Sequence, residues 1–517
     1  MVHSFEMAFS RRLAGALLAA AALTGCAGGK PRAPNLALPA TFEAPSDAPR
    51  LAAAQLDRWW LIFNDARLNA LEDEALAGAP DALTAYARVV EARGVRGSAI
   101  DQTLPTGSIS GSAGRQHEIN LGAAGNSFLP IGGNHDTETA ALNVSWELDV
   151  FGRLAARRRI AGATYQATRF DIEGALASLV ANVASDYFQA TGYKMQIADA
   201  EETVRIDTEL ARIAEVKAQH GLGAESDADR VAGQLAQARA QLTDLQSQYH
   251  ASRRQLLILV GRRNASVESV LTPDVTADAP PVPAAIPGEL LQRRPDVREA
   301  DAKLRAQAGQ GKLRHLAIFP TFSLAPALGL QRSTSPSVGV NPTPGGGFSF
   351  FPEALTTSLG YWTLAVNLAQ PVLNIPQLLQ DMKAEDARSE QAVVAYEKTV
   401  QTAYGEAENA LVSLDAGRRA ANQLADGEVR AHRAYDAARI RYGMGLDDLT
   451  SALTTEQSWR AIHLALVNER VQALQRAVTT YKALGGGWAS VSPVPAAIGG
   501  AGAQAEEQRA QGKGRRP

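Results

Sequence analysis

The chain has 517 residues, 51 basic and 54 acidic, for a formal net charge of −3, with 45% hydrophobic residues and a single cysteine. That balance excludes a strongly basic nucleic-acid binder. The lone Cys26 excludes any disulfide within the chain, and the length allows several hundred residues of folded core.

The N-terminus reads as an export signal. Arg11 and Arg12 precede an apolar run from Leu13 to Leu23, then Thr24-Gly25-Cys26. The run is too short to span a membrane. Small residues ahead of a lone Cys resemble a bacterial lipobox, in which cleavage before the Cys is coupled to its lipidation. Cys26 is therefore the expected lipid site, and Ala27 in place of Asp favours the outer membrane. Removing residues 1–25 takes away Arg11, Arg12 and Glu6 and leaves 49 basic and 53 acidic residues, a net charge of −4. No later window is apolar enough for a transmembrane helix, so a membrane-inserted form must use strands.

Helix is expected over about 80–100, followed by a weak strand at 106–113. A stronger strand covers 139–151. Within it Leu142, Val144, Trp146, Leu148 and Val150 point one way, and Asn143, Ser145, Glu147 and Asp149 the other. A strand with lipid on one face and water on the other needs this alternation. It runs into a helix over about 155–219, roughly 100 Å at ~1.5 Å per residue. Leu176, Val180, Val183, Tyr187 and Ala190 follow the seam spacing of a coiled coil. Ala181, Ala184, Ala403, Ala407 and Ala410 permit close helix approach. A turn at Gly221–Gly223 leads into a second helix ending near Gly261. Prolines 273, 280, 281, 283 and 287 then forbid helix. Helix resumes at Pro295, a suitable first position, and runs to about 316.

The second half repeats that order. Strands are expected at 321–330, weakened by Pro326, and at 361–368, then helices over 376–442 and 447–484. The segments 120–136 and 332–357, rich in Gly, Ser, Asn and Pro, read as loops. Leu104-Pro105-Thr106 recurs as Phe319-Pro320-Thr321, 215 residues on. Gly221-Leu222 recurs as Gly445-Leu446, and Leu259-Val260-Gly261 as Ala483-Leu484-Gly485, both 224 on. A period above 200 residues signals domain duplication. The expected organisation is a signal at 1–25, an extended segment at 26–65, a first repeat at 66–271, a Pro-rich linker at 272–287, a second repeat at 288–488 and a disordered tail at 489–517. Four strands cannot close a membrane barrel, which needs about eight, so strands must be shared between copies; three copies would supply about twelve.

The motifs then resemble the TolC/OprM/NodT group of outer-membrane efflux factors over nearly the whole chain. They are Trp60-x-x-Phe63-x-Asp65-x-x-Leu68, Ser145-Trp146-Glu147-Leu148-Asp149-Val150-Phe151-Gly152-Arg153, Leu290-Leu291-x-Arg293-Arg294-Pro295-Asp296-Val297, Phe319-Pro320, Arg441-Tyr442-x-x-Gly445 and Leu484-Gly485-Gly486-Gly487-Trp488. The resemblance implies a mixed α and β fold: a homotrimeric outer-membrane β-barrel, four strands per chain, continuous with a long α-helical periplasmic barrel. It implies export of small molecules with a periplasmic adaptor and an inner-membrane pump of proton-driven type, and docking of the adaptor at the helix tips, here Gly221, Leu222, Gly445 and Leu446. Two departures stand out. Asn374-Ile375-Pro376-Gln377 replaces a Gly-Gly-Arg-like turn, and Ser451 and Thr454 occupy positions where some relatives carry gating Asp residues.

Asp227, Asp229, Asp447 and Asp448 are the candidate periplasmic gate. Threefold repetition would make them acidic rings that favour cations; the alternative is helix capping. Arg293-Arg294-Pro295-Asp296 reads as a structural helix start. Catalytic signatures and cysteine clusters are missing from the sequence, so no enzyme activity, metal or cofactor is expected, and no nucleic-acid partner. The competing function is a trimeric coiled-coil structural or adhesive outer-membrane lipoprotein without a through-channel, which would need no paired strands.

Overall fold

A computed structural model describes residues 32–488 apart from 45, 47, 50, 119–132, 274–277, 345–347 and 445. Cys26, Gly445, most of the 120–136 segment and the 489–517 tail lie outside the described residues. The elements in chain order are α1 (Ala53–Asp57), a 3-10 turn (Trp59–Phe63), α2 (Ala66–Gly78), α3 (Pro80–Asp101), β1 (Thr106–Glu118), β2 (Gly133–Leu148), α4 (Arg153–Gln219), α5 (Glu225–Leu259), α6 (Leu290–Arg293), α7 (Pro295–Leu316), β3 (Thr321–Pro342), β4 (Phe348–Ala369), α8 (Ile375–Gly443) and α9 (Leu449–Ala483). No described helix is long and apolar enough to cross a membrane. The chain divides into two compact units.

The first unit takes in residues 94–164 and 304–392 and holds one antiparallel sheet in the order β1-β2-β3-β4. The strands are longer than the sequence pattern suggests. The 332–357 segment, expected as loop, is mostly strand: Thr334 pairs with Thr356 and the ladder continues to Pro342 opposite Phe348. The prolines there are tolerated for a topological reason. Pairing between β2 and β3 ends at Asp136 opposite Thr334, so beyond that point β3 is paired, among the described residues, with β4 alone. Pro336 lies in this stretch paired to β4 alone, and Pro352 sits on β4, at the end of the sheet order. Pro326, between two partners, does leave a mark: the β2–β3 ladder is interrupted between Asn143–Ala327 and Trp146–Leu324.

The second unit takes in residues 33–93, 165–303 and 393–488 of the described chain. Its core forms around Trp59, Trp60, Phe63, Tyr187, Phe188 and Tyr481 with leucines and alanines of α2, α4, α5, α8 and α9. The expected seam Leu176, Val180, Val183, Tyr187, Ala190 is buried throughout, as are Ala181, Ala184, Ala403, Ala407 and Ala410. The Trp60 motif is explained by its geometry. Asp65 N-caps α2, accepting from the backbone of Arg67 at 2.8 Å, and also accepts the Tyr187 hydroxyl at 2.6 Å. Trp59 stacks on Tyr481, centroids 5.8 Å apart. Gly487 donates to the Leu56 carbonyl at 3.0 Å, where a Cβ would stand 2.9 Å from the Trp59 indole nitrogen.

Candidate functional site

Two regions carry the functional geometry: the sheet in one unit and the helix tips in the other. On one face of the sheet Ile109, Leu142, Leu328 and Trp362 stand opposite one another across all four strands. All four are exposed, from 41% for Leu142 to 85% for Ile109. Trp146, Leu324 and Val366 form a second row. The other face of the same pairs carries Ser108, Asn143, Ala327 and Thr363. One apolar face and one small, polar face match lipid on one side and water on the other. Among the described strands, β1 and β4 each have one unpaired edge, a row of polar backbone that hydrocarbon does not tolerate.

The strand-to-helix switch after β2 is built from motif residues. Asp149 caps the start of α4, accepting from the backbone N–H groups of Leu154 and Ala155, both at 2.9 Å. Gly152 supplies the positive φ of +81° that the turn requires. Phe151 stacks on Phe319 from the other half, centroids 4.9 Å apart. After β4 the departure at 374–377 is absorbed: α8 starts at Ile375, one residue before Pro376. Proline is acceptable there because a first-turn N–H has no intrahelical acceptor.

The tip after α4 is a tight αL turn. At the end of α4, Gly221 has φ +70° and Leu222 N–H bonds to the Lys217 carbonyl at 2.8 Å, the i to i−5 closure of a Schellman motif. Leu446 closes α8 the same way onto Arg441 at 2.9 Å. The same bond recurs as Arg262 to Leu257 and Gly486 to Tyr481, next to Gly261 and Gly485 with φ of +83° and +78°. The residues noticed in sequence at intervals of 224 thus mark equivalent helix ends. Leu222 and Leu446 are 77% and 68% exposed.

The tip acids have distinct surroundings. Asp448 is the N-cap of α9 and accepts from Ser451 N–H at 2.7 Å. Asp447 lies 3.6 Å from the Arg441 guanidinium and accepts from the Ser451 hydroxyl at 3.3 Å. Asp227 is not a cap, since Ala224 holds that position in α5; it pairs with Arg230 at 3.1 Å. Asp229 is exposed on the same helix. The sequence reading missed Lys217. Its ammonium donates to the Tyr442 hydroxyl at 3.1 Å and lies 4.8 Å from that ring centroid, joining the ends of α4 and α8. A lysine in the last helical turn is a visible signal, but its cross-helix partner is not.

The family model for outer membrane efflux proteins matches residues 71–262 and 286–486. The chain is 28% identical over 480 residues to the pyoverdine export outer membrane protein OpmQ of Pseudomonas aeruginosa, covering 92% of this chain and 97% of that one. It is 25% identical to the cation efflux system protein CusC of Escherichia coli, covering 91% and 97%. Among solved structures, the outer-membrane channel OprN superposes with a TM-score of 0.75 at 24% identity, covering 89% of this chain and 99% of that one. The open MtrE outer membrane channel of Neisseria gonorrhoeae gives 0.69 at 22% identity, covering 90% and 99%. With both halves matched by the family model, this chain belongs to the outer membrane efflux protein family and forms an outer-membrane export channel.

Proposed function

We propose that three copies of this chain close one twelve-stranded barrel and act as the outer-membrane duct of a tripartite efflux system, anchored by lipid at Cys26. The observation that carries the reading is the four-stranded sheet with an apolar face and two open edges. Such a sheet is stable in a bilayer only when its edges meet other copies. A structural stalk without a channel has no use for it. The work of such a duct is passive: it supplies a wet path, and no step in it needs a cofactor. The relatives' cargoes, pyoverdine in one and cations in another, differ widely, which supports a generic conduit whose cargo is chosen by an inner-membrane pump.

The tips around Gly221, Leu222, Gly445 and Leu446 are the proposed adaptor surface, with exposed leucines on tight turns to be covered by a helical partner. The Lys217–Tyr442 and Arg441–Asp447 contacts are the proposed entrance ties, with Asp227, Asp229 and Asp448 adding negative charge. The lipobox-like Leu23-Thr24-Gly25-Cys26 supports lipid anchoring, and the recurring helix closures support duplication of the two halves. Mass measurement of the detergent-solubilised protein should give a trimer, and planar bilayers should show discrete channel events. A membrane-inserted monomer without conductance would sink the reading. Mass spectrometry of the mature N-terminus should find a lipid-modified Cys26; a free N-terminus elsewhere defeats the anchor.

A further inference from the structure

His463 on α9 has a carboxylate on each ring nitrogen. Its Nε2 lies 3.1 Å from Asp199 Oδ2 of α4, and its Nδ1 lies 3.3 Å from Glu428 Oε1 of α8. The approach to Asp199 is close but off the line of an ideal hydrogen bond, so it acts as an ion pair. Three helices from both halves of the chain therefore meet at one imidazole. The site is braced: Trp459 stacks on Tyr435 with centroids 5.3 Å apart and donates its indole N–H to Glu428 at 2.9 Å. Asp199 from α4 and Glu428 from α8 are the charged groups in contact with the ring. His432 of α8 packs edge-on against Trp459 and pairs with Asp436 at 3.2 Å. On α9 itself Arg460 is paired with the buried Glu456. Glu202 of α4 is bound to Arg205 and feels Arg460.

A neutral imidazole has one N–H and one lone pair. Between two carboxylates it can satisfy only one, and its lone pair then faces the other. Only the imidazolium, a donor at both nitrogens, can hold both. We propose that His463 is a proton-operated latch between the two helical hairpins, closed when the imidazole is protonated and released when it is neutral.

The electrostatics agree. The Asp199 contact raises the His463 imidazole above its ordinary value of 6.5; burial opposes this and Glu428 reinforces it. Burial pushes Glu428 up, but the Trp459 and His463 hydrogen bonds and the nearby histidines together hold it below the usual carboxylate value. For a group whose folded value is raised, the stabilisation is complete below the ordinary value and is lost as pH climbs through the raised one. The latch is closed in mild acid and opens toward alkaline pH. Its consequence for transport, freer movement of the helical hairpins as pH rises, rests on the duct reading; the latch itself does not.

Hydrogen–deuterium exchange of the full-length protein, corrected for intrinsic rates, tests it between about pH 5 and about pH 8, the range in which histidine titrates. In the wild type, protection around Asp199 and His463 should fall over that range. His463→Lys should stay protected at both ends, and His463→Gln should be unprotected at both. Asp199→Asn, should the glutamine variant fail to fold, should move the wild-type transition to lower pH. Unchanged wild-type protection across the range, or an Asp199→Asn transition where the wild type has it, overturns the latch. In planar bilayers the wild type should open more often as pH rises and His463→Lys should not. Absence of channel events at every pH would overturn the duct reading and leave exchange to decide the latch.

Discussion

Arg294 reaches from the turn before α7 to Glu406 of α8, Nη2 to Oε2 at 2.6 Å, while its Nη1 donates to the Ala483 carbonyl at 3.1 Å. The guanidinium also grips Asp296 at 2.7 Å. It ties the start of α7, the middle of α8 and the end of α9 together. That makes the Arg-Arg-Pro-Asp motif architectural, as its sequence context suggests.

Arg294→Ala should therefore destabilise the protein by about 1.5–3 kcal/mol, less than a fully buried pair because Glu406 and Asp296 stay half-exposed. Arg294→Lys should recover little of it, since a point ammonium cannot match the planar fork. Thermal unfolding of the solubilised protein measures both. A lysine variant indistinguishable from wild type would contradict the assignment.

The αL glycines should separate by their surroundings. Gly221 has open space around its missing Cβ, whereas a Cβ at Gly261 would stand 2.6 Å from the Gly78 carbonyl oxygen. Gly221→Ala should cost about 1 kcal/mol for the positive φ alone, and Gly221→Asn still less. Gly261→Ala adds a backbone clash and should cost clearly more. Equal melting shifts for the two alanine variants would refute this.

The two faces of the sheet should differ in tolerance to charge. Trp146→Lys places a cation on the apolar face, at about 2–4 kcal/mol near the bilayer midplane. Its neighbour Ser145 points the other way, so Ser145→Lys should insert normally. Outer-membrane yield of assembled protein compares them, and equal yields would refute the facing.

Asp448 and Asp447 separate capping from charge. Asp448→Ala removes the cap on Ser451 and should cost about 0.5–2 kcal/mol, while Asp448→Asn keeps it. If these acids also line the entrance, the Asp447→Asn, Asp448→Asn double variant should remain folded yet lose cation selectivity in single-channel recordings. Unchanged selectivity would leave them as a helix start.

Much of this protein was legible in its sequence because its signals are periodic and local. The alternation around Trp146 places side chains on opposite faces of a strand without reference to anything else. The proline-free runs marked α4 and α8 to within two residues, and the seam from Leu176 to Ala190 proved to be core because heptad spacing encodes its own burial. Spaced glycines marked the helix ends for a similar reason: a tight left-handed turn selects the residue without a Cβ. What only the tertiary structure decided depends on partners distant in the chain. Residues 332–357 look like loop by composition, yet most of them pair as strand, β3 with β4, beyond the last described β2–β3 pair. Asp447 and Asp448 are alike in sequence, but one turns toward Arg441 and the other caps α9. His463 is an isolated histidine on a helix until folding brings Asp199 and Glu428, 264 and 35 residues away, to its two nitrogens. Contacts across such separations leave no periodic trace in the chain, and the chemistry of a proton held between three helices resides in them.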